Sequence, residues 1–221
     1  GIDGCKDGWL IVGLTDQNHF IYSIINKITK FNEDFLKFKF PDIRILIDIP
    51  IGIPSYRNYP RKCDKEAKSL LKQRHSTIFY PPCRKALYLT KYQEALKYQK
   101  QKIGMGFSKQ AWNICPKIRE IDLFLQNHRQ WIPYIIESHP ELCFLALNQG
   151  KPIQDSKHTQ KGLHKRFQIL KNAFNTLDYT PEILKNDFSI ISKGKFHTNV
   201  GLDDLFDALV LLFANIFSKC T

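Results

Sequence analysis

A strand that is apolar on both faces needs cover on both, and Ile43-Arg44-Ile45-Leu46-Ile47-Asp48-Ile49, ended by Pro50, is such a run. That is the pattern of a parallel strand lying under helices. Parallel pairing requires a crossover, so the chain must supply helices between strands. Before this run, Trp9 to Leu14 and Phe20 to Ile25 are β-branched and aromatic stretches separated by the turn-forming Thr15-Asp16-Gln17-Asn18, which predicts a hairpin. With Gly1 to Asp3 they make a three-stranded antiparallel meander. Gly1-Ile2-Asp3 reads as the middle of a strand, so earlier residues, an initiator methionine among them, are expected to precede it.

Asn32-Glu33-Asp34 opens a predicted helix through Phe38. After Pro50 the pattern turns helical: Lys62 to Gln73, Thr90 to Ile103 and Lys109 to Asn127 have helical spacing, residues 74 to 88 look irregular, and Gly104-Met105-Gly106 is a helix break. The next strand is Tyr134 to Glu137. Helices are predicted at His139 to Leu147, Leu163 to Phe174 and Leu205 to Phe217, the last with an N-cap in Gly201-Leu202-Asp203, where Asp203 is the expected capping side chain. The expectation is one α/β domain over residues 1–221, with a helical insertion at about residues 55–130.

Length and composition support a packed domain, since 221 residues with 43% hydrophobic and 24% charged side chains can bury a sizeable core. A membrane span is excluded, because the longest apolar stretch, Leu205 to Phe217, is too short and Asp207 interrupts it. The six cysteines form no C-x-x-C pair and no finger spacing with histidine, so reduced thiols in the cytoplasm are expected.

Three acids stand where strands should be apolar: Asp3 beside Ile2, Asp48 between Ile47 and Ile49, and Glu137 after Ile135 and Ile136. An ionised carboxylate in a low-dielectric site costs several kcal/mol unless a cation or hydrogen bonds compensate it. Asp204 and Asp207, three residues apart, share one helical face and can meet a common target. Carboxylates suit hard divalent ions, so Asp3, Asp48, Glu137, Asp204 and Asp207 together predict a Mg²⁺ or Mn²⁺ site. Two such ions about 3.5–4 Å apart, bridged by a shared acid, hydrolyse phosphodiesters, and Asp3 is the natural bridge. Taken singly, Asp48 can also end a strand and Glu137 can begin the following helix.

The net charge of +12 points to phosphate-rich partners. Between Arg84 and Arg119, Lys85, Lys91, Lys97, Lys100, Lys102, Lys109 and Lys117 stand against Glu94 alone, with Tyr88, Tyr92, Tyr98, Phe107 and Trp112 interleaved. Such aromatics stack on exposed bases or fill a core. Lys6, Arg57, Arg61, Arg74, Arg84 and Arg166 lie near acid motifs or in loops where a phosphate can be gripped. His75 and His139 can position a water or protonate a leaving oxygen, or act as hydrogen-bonded structural residues.

Gly1-Ile2-Asp3-Gly4-Cys5-Lys6-Asp7-Gly8-Trp9 resembles the opening of an uncharacterised bacterial family of predicted RNase-H-like nucleases. Ile47-Asp48-Ile49-Pro50-Ile51-Gly52-Ile53-Pro54 and Arg74-His75-Ser76-Thr77-Ile78-Phe79 resemble its next blocks. Gly106 to Ile118, Glu137-Ser138-His139-Pro140-Glu141 and Ser156-Lys157-His158-Thr159 follow in the expected order. The resemblance implies an RNase H-like fold with a five-stranded mixed sheet, its first three strands antiparallel. Asp204 and Asp207 before Ala208 look like the D-x-x-D-A of the resolvase branch. The expected function is therefore a metal-dependent nuclease acting on nucleic acid, with an inert nucleic-acid-binding module as the alternative. An ATP-using phosphotransferase needs paired glycine-rich phosphate loops that the chain lacks.

Overall fold

The computed structural model describes residues 1–14, 20–31, 44–176 and 200–218. The turn Thr15 to Asn18 and the helix expected from Asn32 to Phe38 lie outside the described residues. Backbone contacts divide the chain into two compact units, one of Gly1–Ile49 with Ile132–Thr221, the other of Pro50–Trp131.

The first unit is built on an open five-stranded mixed sheet. Its strands are β1 (Ile2–Cys5), β2 (Gly8–Leu14), β3 (Phe20–Ile25), β4 (Ile45–Ile47) and β5 (Ile135–Glu137), in the order β3-β2-β1-β4-β5. The first three pair antiparallel, and β4 lies parallel to both β1 and β5. This is the α/β class expected from the sequence, a five-stranded mixed sheet with its first three strands antiparallel. β4 is shorter than its apolar run, because the backbone bends at Asp48 and Ile49 before Pro50. Proline has no N–H for a further ladder bond.

In the second unit the helices are α1 (Lys62–Leu71), α2 (Arg84–Leu87), α3 (Tyr92–Ile103), α4 (Lys109–Asn113) and α5 (Cys115–Asn127). Two expectations need correction. The span 74 to 88 is not wholly irregular: a 3₁₀ turn runs over Lys72–Thr77 and α2 follows it. Lys109 to Asn127 is two helices rather than one, since Pro116 occupies the first turn of α5, where a missing N–H is tolerated and the preceding helix must stop. Ser108 caps α4 by accepting from the Ala111 N–H at 3.0 Å.

The charge is divided as sharply as the fold. Pro50–Trp131 holds 17 Lys and Arg against 5 Asp and Glu, so this unit alone carries +12, while the rest of the chain, with 16 of each, is neutral.

Back in the first unit, α6 (Pro140–Leu147), α7 (Gln160–Asn175) and α8 (Leu202–Phe217) complete the chain. α8 packs on β1, β2, β4, α6 and α7. Leu209, Val210, Leu211 and Phe213 of α8 are almost wholly buried and meet Leu10, Val12 and Leu46 of the sheet in one core. Each such side chain contributes about 1.5–3 kcal/mol of burial. α8 lies so close to the sheet that a Cβ on Gly1 would stand 1.9 Å from the Ala208 carbonyl oxygen. That approach fixes the acids of α8 against Asp3 of β1. Among the described residues no helix is long and apolar enough to cross a membrane.

Candidate functional site

The sheet register sets the first two acids side by side. Ile2 pairs with Ile47 in parallel, and the Asp48 N–H donates to the Ile2 carbonyl at 2.9 Å, so Asp3 and Asp48 leave neighbouring strands at one level. Asp3 also pairs with Leu10, whose side chain belongs to the core under α8, and this puts the Asp3 carboxylate on the α8 side of the sheet. Asp207 comes from the first turns of α8 and is 4% exposed, against 7% for Asp3. Asp204, one turn earlier, accepts weakly from the Gly201 N–H at 3.4 Å. Gly201 is the N-cap of α8. Asp203, expected there, is the second residue of the helix instead.

These carboxylates act on one another. Burial, then Asp48, Asp207 and Asp204, push the Asp3 carboxyl well above the ordinary carboxylate range, with Lys157 opposing. Asp3 keeps one compensating bond, from the Gly4 N–H at 2.7 Å. Burial also pushes Asp48 up to about 7, where Glu137 and Glu141 add to the effect and Lys157 works against it. Asp207 reaches about 7 because burial and Asp48 outweigh Lys157 and Arg166. Asp204 is raised too, through burial and then Asp203. Glu137 sits level with Ile47 in the β4–β5 register, and its tie to the cluster runs through Asp48.

Lys157 joins these acids, although no strand or helix pattern in the sequence singles it out. Its Nζ donates to Asp207 Oδ2 at 2.6 Å and lies 3.7 Å from Asp203 Oδ2. Burial disfavours its charge, yet Asp207, Asp3 and Asp203 together hold its ammonium above the ordinary lysine range. The loop that presents it is firmly built. Thr159 donates its hydroxyl to the Ser156 carbonyl at 2.8 Å and caps α7 through the Gly162 N–H at 3.1 Å. A Cβ at Gly162 would meet the Ser156 carbonyl at 1.9 Å, so only glycine lets α7 start this close to the loop. The one signal in the sequence was the string Ser156-Lys157-His158-Thr159, in which a capping threonine fixes where Lys157 stands.

The basic candidates are placed differently from one another. Arg166, expected to grip phosphate, is fully buried: it forms an ion pair with Glu141 and donates to the Asp155 and Gly162 carbonyls, each at 3.2 Å. It is a core residue of this unit. His139 caps α6, its Nδ1 accepting from the Glu141 N–H at 3.2 Å. Lys6 is exposed in the β1–β2 turn. The other candidates belong to the second unit. There Arg61 is buried, paired through two hydrogen bonds of 2.9 and 2.6 Å with Asp64, so it too is structural. Arg84 binds both carboxylate oxygens of Asp122, at 2.6 and 3.0 Å. Arg57 and His75 are exposed, and Arg74 is half-buried. Among the interleaved aromatics, Tyr92, Phe107 and Trp112 pack on one another with ring centroids 5.7 to 6.1 Å apart, as core.

Hard carboxylate oxygens on four side chains, balanced by a single ammonium, suit a Mg²⁺ or Mn²⁺ ion in kind. The oxygens do not converge on one point: among the described residues no three His, Cys, Asp or Glu side chains stand close enough together to hold a metal ion.

Raised carboxyls make stability depend on pH. Between the ordinary value of 3.8 and about 7, the native protein holds protons at Asp48 and Asp207 that the unfolded chain has released. Their contribution is therefore complete below about pH 4 and is lost as pH rises through about 7. In chelator the wild type should lose about 2 kcal/mol relative to Asp207→Asn between pH 5 and 8. Urea unfolding across that range checks it, and parallel profiles for the two proteins would refute it.

A family model described as Protein of unknown function (DUF429) matches residues 1–217. No curated protein and no solved structure matches the chain.

Proposed function

The chain belongs to the DUF429 family, and we propose that it is a divalent-metal-dependent nuclease of the RNase H-like superfamily, hydrolysing phosphodiester bonds of nucleic acid. The observation that carries this reading is the gathering of Asp3, Asp48, Asp204 and Asp207 about the single ammonium of Lys157, with the Asp3, Asp48 and Asp207 carboxyls pushed far above their ordinary range and that of Asp204 raised. Four buried or half-buried acids cannot all ionise there without further positive charge. Mg²⁺ or Mn²⁺, if held by these acids, would supply that charge and a Lewis acid for phosphoester hydrolysis.

Asp3 and Asp48, fixed by the sheet, and Asp204 and Asp207, fixed by α8, would hold the ions, with Glu137 completing the set beside Asp48. Lys157 keeps Asp207 oriented through its hydrogen bond. Lys6, exposed in the turn after β1, would offer its ammonium to a substrate phosphate.

The order of the sheet supports the superfamily assignment, since an antiparallel triplet followed by parallel strands is the arrangement the family resemblance implies. Fold alone does not carry the activity, which rests on the acids.

A second reading is a nucleic-acid-binding module without chemistry. It draws on Lys157 already neutralising part of the cluster, and on the +12 of Pro50–Trp131. One experiment separates the two. The protein is incubated with single-stranded and duplex DNA and RNA in Mn²⁺, in Mg²⁺ or in chelator, and its melting temperature is followed with each metal. Metal-dependent cleavage supports the nuclease. Binding of nucleic acid with neither cleavage nor a metal-dependent rise in melting temperature would replace it with the binding module.

A further inference from the structure

The basic unit contains a cavity of about 500 Å³ walled by Tyr56, Tyr88 and Tyr98, with Lys85 on its rim. Its lining is chiefly apolar. Tyr56 and Tyr88 are the most exposed aromatic side chains of the unit, at 44% and 39%.

The rings are held ready. Tyr88 donates its hydroxyl to Asp122 Oδ2 at 2.6 Å, and Asp122 is itself gripped by Arg84 through both oxygens and by Gln126 at 2.8 Å. Arg84 thus acts as a positioning residue for the Tyr88 ring. Cations sit over the other two rings: the Arg57 guanidinium carbon lies 5.6 Å from the Tyr56 centroid, and Lys85 Nζ lies 5.2 Å from that of Tyr98. Both cations are exposed. A fixed aromatic wall with flanking positive charge, in a unit of net charge +12, matches a planar base carried on a phosphate backbone.

We propose that Pro50–Trp131 binds single-stranded nucleic acid, seating an unpaired base against Tyr56, Tyr88 and Tyr98 with the adjoining phosphates on Arg57 and Lys85. Bases within a duplex are stacked on their neighbours and cannot offer a free face to these rings, so the cavity selects unpaired strands. The proposal names the substrate class of the nuclease reading and takes its catalytic meaning from it, while the binding itself needs no metal.

The test is fluorescence anisotropy in chelator, at about 0.15 M salt, with labelled poly-dT and poly-U strands of about 20 nucleotides and a duplex of equal length. Single strands should bind at least about tenfold tighter than the duplex. Tyr56→Ala should weaken single-strand binding about tenfold and leave duplex binding unchanged, with Tyr56→Phe retaining wild-type affinity. A strand carrying 5-iodouridine should crosslink to Tyr56 or Tyr88, which decides the matter even if Tyr56→Ala fails to fold. Equal affinity for strand and duplex, an unaltered Tyr56→Ala protein, or a crosslink mapped elsewhere overturns the proposal. So does binding to phosphatidylserine vesicles without binding to either strand. Single-strand binding without metal-dependent cleavage would uphold this inference and sink the nuclease; cleavage with Tyr56→Ala binding as wild type would do the reverse.

Discussion

Replacing Asp3 by asparagine is expected to abolish the protein's response to Mn²⁺ while leaving its fold in place. In the wild type, metal at about one hundred times its dissociation constant should stabilise the native state by about 2.7 kcal/mol. For a chain of this size that is a rise in melting temperature of about 5–10 °C. Asparagine keeps the shape of Asp3 and its bond from the Gly4 N–H, but removes the charge at the point where the influences of Asp48, Asp204 and Asp207 meet. Cleavage should fall by at least about a thousandfold. Thermal unfolding with and without metal, run beside the cleavage assay, checks both. A variant that still responds to Mn²⁺ would remove Asp3 from the site. Without metal the same change should stabilise the protein at pH 8, because a buried carboxylate that repels three neighbours is gone.

The second large effect concerns stability. Arg166→Met should destabilise the protein by about 3–5 kcal/mol, since it removes the guanidinium that balances the charge of the Glu141 carboxylate, 8% exposed. The Arg166 side chain is fully buried and runs over the Phe144 ring at 5.5 Å, so nothing in solvent can replace it. Adding Glu141→Leu should recover most of the loss, because a buried pair replaced as a whole by apolar side chains is close to neutral. Chemical denaturation of the single and double variants measures the coupling. An additive result would mean that the two side chains do not stabilise each other. The loss of Arg166 should also raise Asp207 further, as its charge is among those holding Asp207 down.

Arg166 also shows where reading residues along the chain stops working. The strands, the antiparallel opening of the sheet and the placement of acids within apolar runs were legible, because alternation and uninterrupted hydrophobicity are local patterns. Burial of a charged side chain is not local. Arg166 finds Glu141 across 25 positions, and Arg84 finds Asp122 across 38. From sequence each looks like a surface cation free to hold phosphate. Arg61 was more accessible, since Asp64 stands three residues on, where a helical turn brings the two together. Lys157 escaped because a lysine in a loop is ordinarily solvated; only the capped start of α7 and the close approach at Gly162 turn it toward Asp207. The aromatics divided in the same manner. Tyr92, Phe107 and Trp112 went to a core, Tyr88 to a cavity, and Tyr98 to the boundary between the two, on tertiary grounds that spacing does not express.

The partition of charge between a neutral sheet unit bearing the acids and a second unit bearing the whole +12 separates two controls that most basic enzymes mix. Ionic strength weakens attraction between the basic surface and a polyanion, and it is felt mainly there. Proton concentration acts on Asp48 and Asp207, whose carboxyls titrate near 7 inside the neutral unit. On the nuclease reading, salt therefore tunes how readily substrate is captured, while pH, by setting protons against metal at these carboxyls, tunes how readily the ions are held. A cell that altered one of these conditions would, on that reading, change either the capture of substrate or the loading of metal, and not both.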